Sequence, residues 1–372
     1  MKIIMKIIMK ISFQILWILG KNRGKLYLFG DNVKIAGFDI GGANTDLAIV
    51  EYENGEIKDI QTVFEYLPMW SQNERLGNVL YDLIEKICPV DEIDAVGISM
   101  TAELVDAFET KAQGVLDIAT TCEKLFDCPV AYIGTDKVLS LAELIANPIE
   151  VAAANWIATS HIVAEIEKDC IFVDTGSTTT DIIPIKDGKE CAKGRTDFER
   201  SATGELVYTG TLRTNLTSFV DSIPLNGETY RVASELFAIT ADVYNVLDLI
   251  EDADYVCATC DGAGKSKEES ARRISRVVCA DLDILSMDDI KEMADYIHRE
   301  QVKQIAAGLK EVSDREGLDK VIVTGLGKDI LCAEAAKLLG LDVKSMGDFY
   351  SDDECTVAPA IGTAIMMKNY LD

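Results

Sequence analysis

The chain has 372 residues, 48% of them hydrophobic, and its 36 Lys and Arg are outnumbered by 63 Asp and Glu, which gives a formal net charge of -27. This length predicts two domains, because a single hydrophobic core rarely organises so long a chain. A protein this acidic repels nucleic acid and anionic membranes, so neither is expected as a partner.

The first 33 residues form a segment of their own. A lysine-containing four-residue repeat occupies residues 1–10, and an apolar stretch occupies residues 11–20. The apolar stretch is too short to span a membrane, and no clear cleavage site follows it. We interpret residues 1–33 as an extension that results from a mis-assigned translation start. A basic amphipathic tail that attaches to a membrane is the alternative.

The first domain is predicted to combine residues 34–150 with residues 351–372. Hydrophobic periodicity predicts helices over residues 74–87 and 136–146. A connecting helix with Asn155 and Trp156 leads to the second domain, and a helix rich in small residues closes the chain. Predicted strands lie near residues 35–38, 47–50, 56–60, 93–99 and 130–133.

One short pattern, D-x-G-x-x-x-T-D, occurs twice, at residues 39–46 and 174–181. Apolar runs flank each copy, which predicts a strand, a tight turn and a second strand. Glycine lets a ligand approach the backbone N–H groups, hydroxyls add donors, and aspartates hold divalent cations. The repeat therefore predicts a duplicated phosphate-binding domain. Ordinary hairpins, in which Gly and Asp serve only the turns, are the alternative.

The second domain is predicted over residues 151–350, with an insertion at about 191–260. The insertion is rich in polar and aromatic residues, and a helix is predicted within it over residues 232–250. Arg195 and Arg213 lie among turn residues, where a guanidinium fork can bind an anionic ligand. For each arginine, a surface ion pair with a nearby Asp or Glu is the alternative.

A glycine-rich segment at residues 261–266 superficially resembles a P-loop. The P-loop motif would need a glycine at Thr259, so we exclude a Walker site. Lys265 still precedes a helix predicted over residues 267–280, where it could offer its charge to a phosphate. Lys265 is therefore a candidate phosphate-binding residue.

A second glycine turn follows an apolar strand that begins at residue 320. Gly325 and Gly327 lie in this turn, and a helix is predicted after it over residues 329–339. Backbone exposed by the two glycines suits a phosphate or a nucleoside. We therefore count both glycines among the candidate ligand-binding residues.

The cysteines and histidines indicate which chemistry is excluded. Ten cysteines without regular spacing favour reduced thiols in a cytoplasmic protein over a disulfide framework. Cys257 and Cys260 form the one close pair, and a single pair without nearby histidines is weak evidence for a metal site. Two histidines are too few for a typical zinc enzyme or a Ser-His hydrolase.

The ordered motifs resemble those of the actin, sugar kinase and heat-shock ATPase superfamily, and the two hairpins resemble its hydantoinase/oxoprolinase branch. The resemblance rests on the hairpins at residues 39–46 and 174–181, the turn at 325–327 and the small-residue helix over 357–366. It implies an α/β fold of two ribonuclease H-like domains, with a ligand cleft between them.

Residues 35–370 as a whole resemble a group linked to tetrahydromethanopterin-dependent one-carbon metabolism. In methanogens this group is similar to the transferase of methanofuran biosynthesis that forms an aryl ether. The implied reaction condenses (5-aminomethylfuran-3-yl)methyl diphosphate with gamma-glutamyltyramine and releases diphosphate. The resemblance thus implies small-molecule partners without nucleic acid or stable membrane association, and a homo-oligomer is compatible with it. Ser177 departs from hydantoinase-like loops, which usually have a second glycine there.

This reaction assigns a role to each candidate residue. Asp39 and Asp174 would position Mg²⁺, and Arg213 would help to balance the charge of the leaving diphosphate. Asp46 or Asp181 would accept the phenolic proton, although both positions also suit structural turn residues. The predicted phosphate-binding residues are Gly41, Gly42, Thr45, Gly176, Ser177, Thr178, Lys265, Gly325 and Gly327.

Two other functions are compatible with the same motifs. An ATP-dependent small-molecule kinase, or a hydantoinase/oxoprolinase-like ATP hydrolase, would bind adenosine at the 325–327 turn and a metal at Asp39 or Asp174. A nucleotide-dependent regulator would instead transmit domain closure to a protein partner. The lack of an Fe–S type cysteine cluster disfavours the regulator, and the lack of a recognisable sugar-kinase base disfavours the kinase.

Overall fold

The computed structural model describes residues 32–372, so most of the predicted 1–33 extension lies outside the described residues. The chain divides into two compact units. The first comprises the residues up to Thr159 together with Val357–Asp372, and the second spans Ser160–Thr356. The predicted boundaries at 150 and 351 fall slightly before these points. Strand β1 already begins at Asn32, inside the predicted extension, because Asn32 and Val33 pair with the neighbouring strand.

The first unit contains a six-stranded mixed sheet with the strand order β3-β2-β1-β4-β5-β6. Strands β1, β2 and β3 form an antiparallel meander, and β4 and β5 then continue the sheet in parallel. This arrangement confirms the five strands predicted in the first domain. The strands are β1 (Asn32–Ile40), β2 (Asn44–Glu53), β3 (Glu56–Tyr66), β4 (Ala95–Met100), β5 (Val130–Ile133) and β6 (Val138–Leu139).

The second unit contains a sheet that repeats this plan, with the strand order β10-β8-β7-β13-β14 and β9 added beside β8. Strands β7 and β8 form an antiparallel hairpin, and β13 pairs in parallel with β7. A separate hairpin joins β11 to β12. The strands are β7 (Cys170–Thr175), β8 (Thr180–Lys186), β9 (Lys189–Glu190), β10 (Leu206–Val207), β11 (Ser222–Leu225), β12 (Glu228–Arg231), β13 (Lys320–Thr324) and β14 (Asp342–Ser345).

Twelve α-helices are found among the described residues, and none of them is long and apolar enough to cross a membrane. They are α1 (Met69–Gln72), α2 (Leu76–Glu85), α3 (Lys111–Leu125), α4 (Leu141–Ala146), α5 (Asn155–Ile166), α6 (Asp197–Ala202), α7 (Thr240–Val246), α8 (Lys267–Arg276), α9 (Met287–Glu316), α10 (Ala333–Leu338), α11 (Asp352–Thr356) and α12 (Ala358–Leu371). A π-helical turn, Lys328–Cys332, precedes α10, so only the second half of the helix predicted over 329–339 is α-helical.

Two predicted helices are shorter in the structure. The helix predicted over 136–146 begins only at Leu141, because β6 precedes it and Ser140 caps it in a reciprocal capping box with Glu143. The prediction of a helix over 232–250 is wrong except for the residues of α7, Thr240–Val246. The residues before α7 bond to distant segments instead, since Ala233 N–H donates to the Val277 carbonyl.

Side-chain alternation along β1 explains why both faces of the first sheet are covered. Phe38 and Ile40 face a core that includes apolar residues of α2 and α3, whereas Val33 and Ile35 face a second core that includes Ala364 and other residues of α12. All of these side chains are buried. Alternate residues of a strand point to opposite faces, so an almost continuously apolar strand needs a helix layer on each side.

Close packing of α12 on the sheet depends on glycine. A Cβ at Gly37 of β1 would overlap the Ala360 carbonyl and the Ala364 amide nitrogen of α12, and a Cβ at Gly97 of β4 would lie 2.8 Å from the Thr363 carbonyl oxygen. These contacts involve backbone atoms, which cannot rotate away as side chains do. The small residues noted in the sequence of this helix therefore allow the backbones to approach.

Gly37→Ala is expected to lower the free energy of unfolding of the first unit by about 1–3 kcal/mol, because a methyl group forced into packed backbone displaces it. Gly77→Ala in α2 is the matched control, since its added Cβ makes only an ordinary contact with Thr121. That change should leave stability unchanged or raise it by up to about 1 kcal/mol. Urea unfolding of the two variants checks the prediction, and equal midpoints would contradict it.

Candidate functional site

The first hairpin, β1 to β2, places Asp39 opposite Asp46 in antiparallel register. Asp39 is 6% exposed, and both of its carboxylate oxygens accept hydrogen bonds. Ser99 Oγ donates to Oδ1 over 2.8 Å, and Asn155 Nδ2 donates to Oδ2 over 3.2 Å. These two donors hold the Asp39 carboxylate in a fixed orientation.

The turn of this hairpin is closed by a hydrogen bond from Gly41 N–H to the Asn44 carbonyl, 2.9 Å long. The Gly42 carbonyl accepts from Met69 N–H at the start of α1. Thr45 is fully buried, and its hydroxyl has no hydrogen-bond partner among the described residues. A buried hydroxyl without a partner requires an explanation, and a bound ligand oxygen is one.

The second hairpin repeats the first almost residue for residue. Asp174 stands opposite Asp181 in the same register, and Gly176 N–H closes the turn on the Thr179 carbonyl over 3.0 Å. The Ser177 and Thr178 side chains are half-buried, and their hydroxyls lie 3.3 Å apart. No atom lies within 4 Å of the position that a Cβ of Gly176 would take. The turn therefore leaves room for a ligand at its backbone.

Asp181, one of the two candidate bases, forms an ion pair with the buried Arg200 at the end of α6. Burial raises the pKa of Asp181, and the positive charge of Arg200 opposes that rise. Arg200 also donates to the Glu205 carbonyl, so the pair attaches α6 to β8. Proton uptake by Asp181 would remove the nearer of two carboxylates that face the buried Arg200 charge, the other being Asp197 at 3.8 Å. Its catalytic role stays a prediction.

The two candidate arginines have different environments. Arg213 lies against the second hairpin, since its backbone N–H donates to the Ser177 carbonyl over 2.9 Å and its Nη1 lies 3.5 Å from Thr178 Oγ1. Arg195 Nη1 instead donates to Glu190 over 2.6 Å. The structure thus brings Arg213, and not Arg195, to the predicted phosphate-binding turn.

Lys265 lies in the loop before α8, and its ammonium group donates to the Tyr255 carbonyl and stands 5.2 Å from the Tyr255 ring centre. Burial raises the pKa of the Cys257 thiol, while positive charge from Lys265 and Arg213 opposes that rise. The positive charges of Lys265 and Arg213 therefore both act to lower the pKa of Cys257. Burial also raises the pKa of Cys260 to about 11, so both cysteines are neutral thiols at neutral pH.

The 325–327 turn packs directly on the second hairpin. Gly325 has a φ of +81°, and a Cβ there would collide with the Asp174 carboxylate. Gly327 N–H donates to the Thr175 carbonyl over 2.9 Å. A side chain at either glycine would push the turn away from Asp174 and Thr175, so both glycines are required for this contact.

Thr211 lies where the 325–327 turn meets the second hairpin. Its N–H donates to the Gly176 carbonyl, its side chain is fully buried, and its hydroxyl has no partner within the described part of the chain. The position of a Cβ on Gly327 is only 2.7 Å from Thr211 Oγ1. Sequence analysis did not identify Thr211, because nothing local distinguishes it from neighbouring threonines.

Thr211→Val is expected to leave the melting temperature unchanged or raise it, because valine removes a buried hydroxyl that makes no hydrogen bond. Thr180→Val is the matched comparison, since the Thr180 hydroxyl bonds to Thr175 Oγ1 and to the Thr209 carbonyl. That variant should lose about 1–3 kcal/mol of stability. Differential scanning calorimetry of both variants is the measurement, and a loss at Thr211 as large as at Thr180 would contradict the prediction.

No group of three or more His, Cys, Asp and Glu side chains that could hold a metal ion is found between residues 32 and 372. All ten cysteines are free thiols. A magnesium ion nevertheless needs only one or two carboxylates when phosphate oxygens and water complete its shell. The carboxylates of Asp39 and Asp174 are hard oxygen donors of the type that Mg²⁺ prefers.

Two residues that orient Asp39 had no role in the sequence-based prediction. Ser99 is the second-last residue of the parallel strand β4, in register with Asp39. Asn155 begins α5 and had been noted only as part of the Asn155-Trp156 pair. A polar residue near the end of an otherwise apolar strand was the available signal for Ser99.

The hydantoinase/oxoprolinase family matches residues 94–370 of the chain. A curated protein of Methanocaldococcus jannaschii, named (4-{4-[2-(gamma-L-glutamylamino)ethyl]phenoxymethyl}furan-2-yl)methanamine synthase, is 38% identical over 91% of this chain and 99% of its own length. A protein of Methanococcus vannielii with the same name is 40% identical over 56% of this chain and 94% of its own length.

Among solved structures, nucleotide-free acetone carboxylase is similar to this chain with a TM-score of 0.58 at 13% identity, covering 90% of this chain and 70% of that one. This likeness concerns the fold alone. Together with the repeated sheet plan, it confirms the predicted α/β fold of two actin-like domains. The family match covers most of the chain, and the chain aligns with 99% of the length of the Methanocaldococcus jannaschii protein. The chain therefore belongs to the hydantoinase/oxoprolinase family.

Proposed function

We propose that this protein forms the aryl ether of methanofuran by the reaction for which its methanogen relatives are named. The substrates would be (5-aminomethylfuran-3-yl)methyl diphosphate and gamma-glutamyltyramine. The observation that carries the proposal is the match to 99% of the length of the Methanocaldococcus jannaschii synthase. A match over the full length includes both hairpins, so it supports a shared reaction better than a shared domain would.

In this reaction the bond between the furan methylene carbon and the diphosphate oxygen breaks, and its electron pair leaves with diphosphate. The phenolic oxygen forms the new bond to that carbon, and the phenolic proton passes to a base. Stabilising the charge on the leaving diphosphate is the main electrostatic demand. The second hairpin suits that demand through the open space beside Gly176, the Ser177 and Thr178 hydroxyls and the Arg213 guanidinium.

Magnesium is the cofactor that we propose, and Asp39 and Asp174 are its candidate ligands. Bound Mg²⁺ would supply Lewis-acid neutralisation of the diphosphate charge. The hydrogen bonds from Ser99 and Asn155 support this role for Asp39, because they orient its carboxylate as outer-shell partners of metal ligands do. Glycine at position 325 supports it for Asp174, because no side chain there crowds the carboxylate.

The base is proposed to be Asp46 in preference to Asp181. The ion pair with Arg200 opposes protonation of Asp181. Asp46 occupies the equivalent position of the first hairpin, opposite Asp39. The phenol has an ordinary pKa near 10, which is far above that of a carboxyl group. The carboxylate would therefore accept the phenolic proton only as the new bond to carbon forms in the transition state.

The test is an anaerobic incubation with Mg²⁺, the furan diphosphate and gamma-glutamyltyramine, with and without ATP, followed by mass spectrometry of the ether and of released diphosphate. We expect the ether and diphosphate in equal amounts without ATP. Ether formation that requires ATP would refute the proposed step. No ether in either arm, with ADP accumulating, would favour the kinase or ATP hydrolase instead.

A further inference from the structure

The 209–214 loop, which carries Arg213, is bonded along its length to the turn of the second hairpin. Thr211 N–H donates to the Gly176 carbonyl, and the N–H groups of Leu212 and Arg213 both donate to the Ser177 carbonyl, at 2.9 to 3.0 Å. A Cβ at Gly210 would overlap the Thr178 backbone. The hairpin turn and the loop therefore form a single packed unit.

Behind this loop lies Gln301 of α9, which is fully buried although it is an amide in the middle of a 30-residue helix. Its Nε2 donates to Thr209 Oγ1 and to the Gly210 carbonyl, each over 2.9 Å. Its Oε1 accepts from the hydroxyl of Tyr244, which is itself buried in α7. Every hydrogen bond of Gln301 thus serves to connect α9 and α7 to the loop.

We propose that Gln301 is a positioning residue that holds the 209–214 loop, and through it Arg213 and the hairpin turn, in the ligand-binding conformation. The identity of the ligand at the turn rests on the proposed function, whereas the hydrogen bonds that hold the loop do not depend on it. A buried glutamine is retained at a net gain only when its amide is fully hydrogen-bonded. Thr240 and Thr214 hydroxyls also donate to the Gly210 carbonyl, so the loop keeps a fold without Gln301 but loses its attachment to α9.

The first test compares Gln301→Met with Gln304→Met by hydrogen–deuterium exchange in the full chain without ligand. Methionine preserves the volume and removes the amide. Gln304 lies on the same helix, and its Oε1 has no partner among the described residues. We expect the amides of Thr211, Leu212 and Arg213 to exchange more than about tenfold faster in Gln301→Met only. Equal protection in the two variants would overturn the proposal.

The second test separates positioning from general destabilisation. In Gln301→Met we expect a KM for the furan diphosphate that is raised about tenfold, with the KM for gamma-glutamyltyramine unchanged, because only the diphosphate would bind at the hairpin turn. A purely structural defect would lower the active fraction and leave both KM values unchanged, which would refute the positioning role.

The exchange test is independent of the proposed function, whereas the KM test requires that the wild-type protein forms the ether. If the wild-type protein forms no ether, the proposed function fails, while the exchange measurement still decides whether Gln301 holds the loop. If the wild-type protein forms the ether and Gln301→Met matches it in exchange and in both KM values, the function stands and the proposal about Gln301 is wrong.

Discussion

Asp174→Asn is expected to lower kcat for ether formation by more than about 100-fold. Loss of a residue that only orients a metal ligand already lowers activity, and loss of the ligand itself should lower it further. Asparagine keeps the size of the side chain and removes the charge that would bind Mg²⁺. Asp174 is the second-last residue of β7 and is half-buried beside Gly325, so a neutral side chain of the same shape should be accommodated. The melting temperature should therefore be retained.

The matched control is Asp169→Asn, which makes the same change just before the other end of β7. Asp169 is exposed, and its carboxylate accepts a turn hydrogen bond from Asp187 N–H. We expect wild-type kcat for this variant. If Asp174→Asn kept more than about a tenth of the wild-type kcat at saturating Mg²⁺, the assignment of Asp174 as a metal ligand would be wrong.

Arg273→Met should lower the stability of the second unit by about 3–5 kcal/mol, because it leaves the carboxylate of Asp242 buried without its counterion. Both side chains are completely buried, and they lie 2.7 Å apart. Tyr255 also donates to Asp242 over 2.7 Å, and Arg273 donates to the Gly264 carbonyl. One ion pair thus supports the loop before α8, which carries Lys265.

Arg276→Met provides the comparison on the same helix. Arg276 is 41% exposed in its side chain and pairs with Asp261 at 3.1 Å, so its loss should reduce stability by less than about 1 kcal/mol. Calorimetric unfolding of the two variants against the wild type gives the difference. Losses of equal size would mean that the buried pair contributes no more than a surface ion pair.

The hairpins could be predicted from sequence because their signals are local. A turn motif between two apolar runs determines the strands, and the spacing within the motif places Asp39 opposite Asp46 and Asp174 opposite Asp181. The helix α9 was also recognisable, although it was not predicted. Ser286 and Asp289 form a capping box at its start, and buried residues recur along it with helical spacing.

The structure within the insertion could not be predicted, because its backbone is satisfied by distant partners. Residues before α7 carry enough apolar side chains to suggest a helix, yet Thr240 N–H bonds to the Thr214 carbonyl and Ala233 N–H to the Val277 carbonyl. The same limit applies to the arginines. Arg195 and Arg213 are equivalent in local sequence, and only the fold of the 209–214 loop separates an ion pair with Glu190 from a contact with the hairpin.

The return of the chain to the first unit through α12 affects the order in which the protein can fold during synthesis. The second unit is continuous, so its core can close once Thr356 has left the ribosome. The first sheet is made earlier, yet one of its faces stays uncovered until Ala364 and Met367 emerge. The unit that is synthesised first is therefore completed last, and its exposed apolar face is where a nascent chain of this protein would need a chaperone.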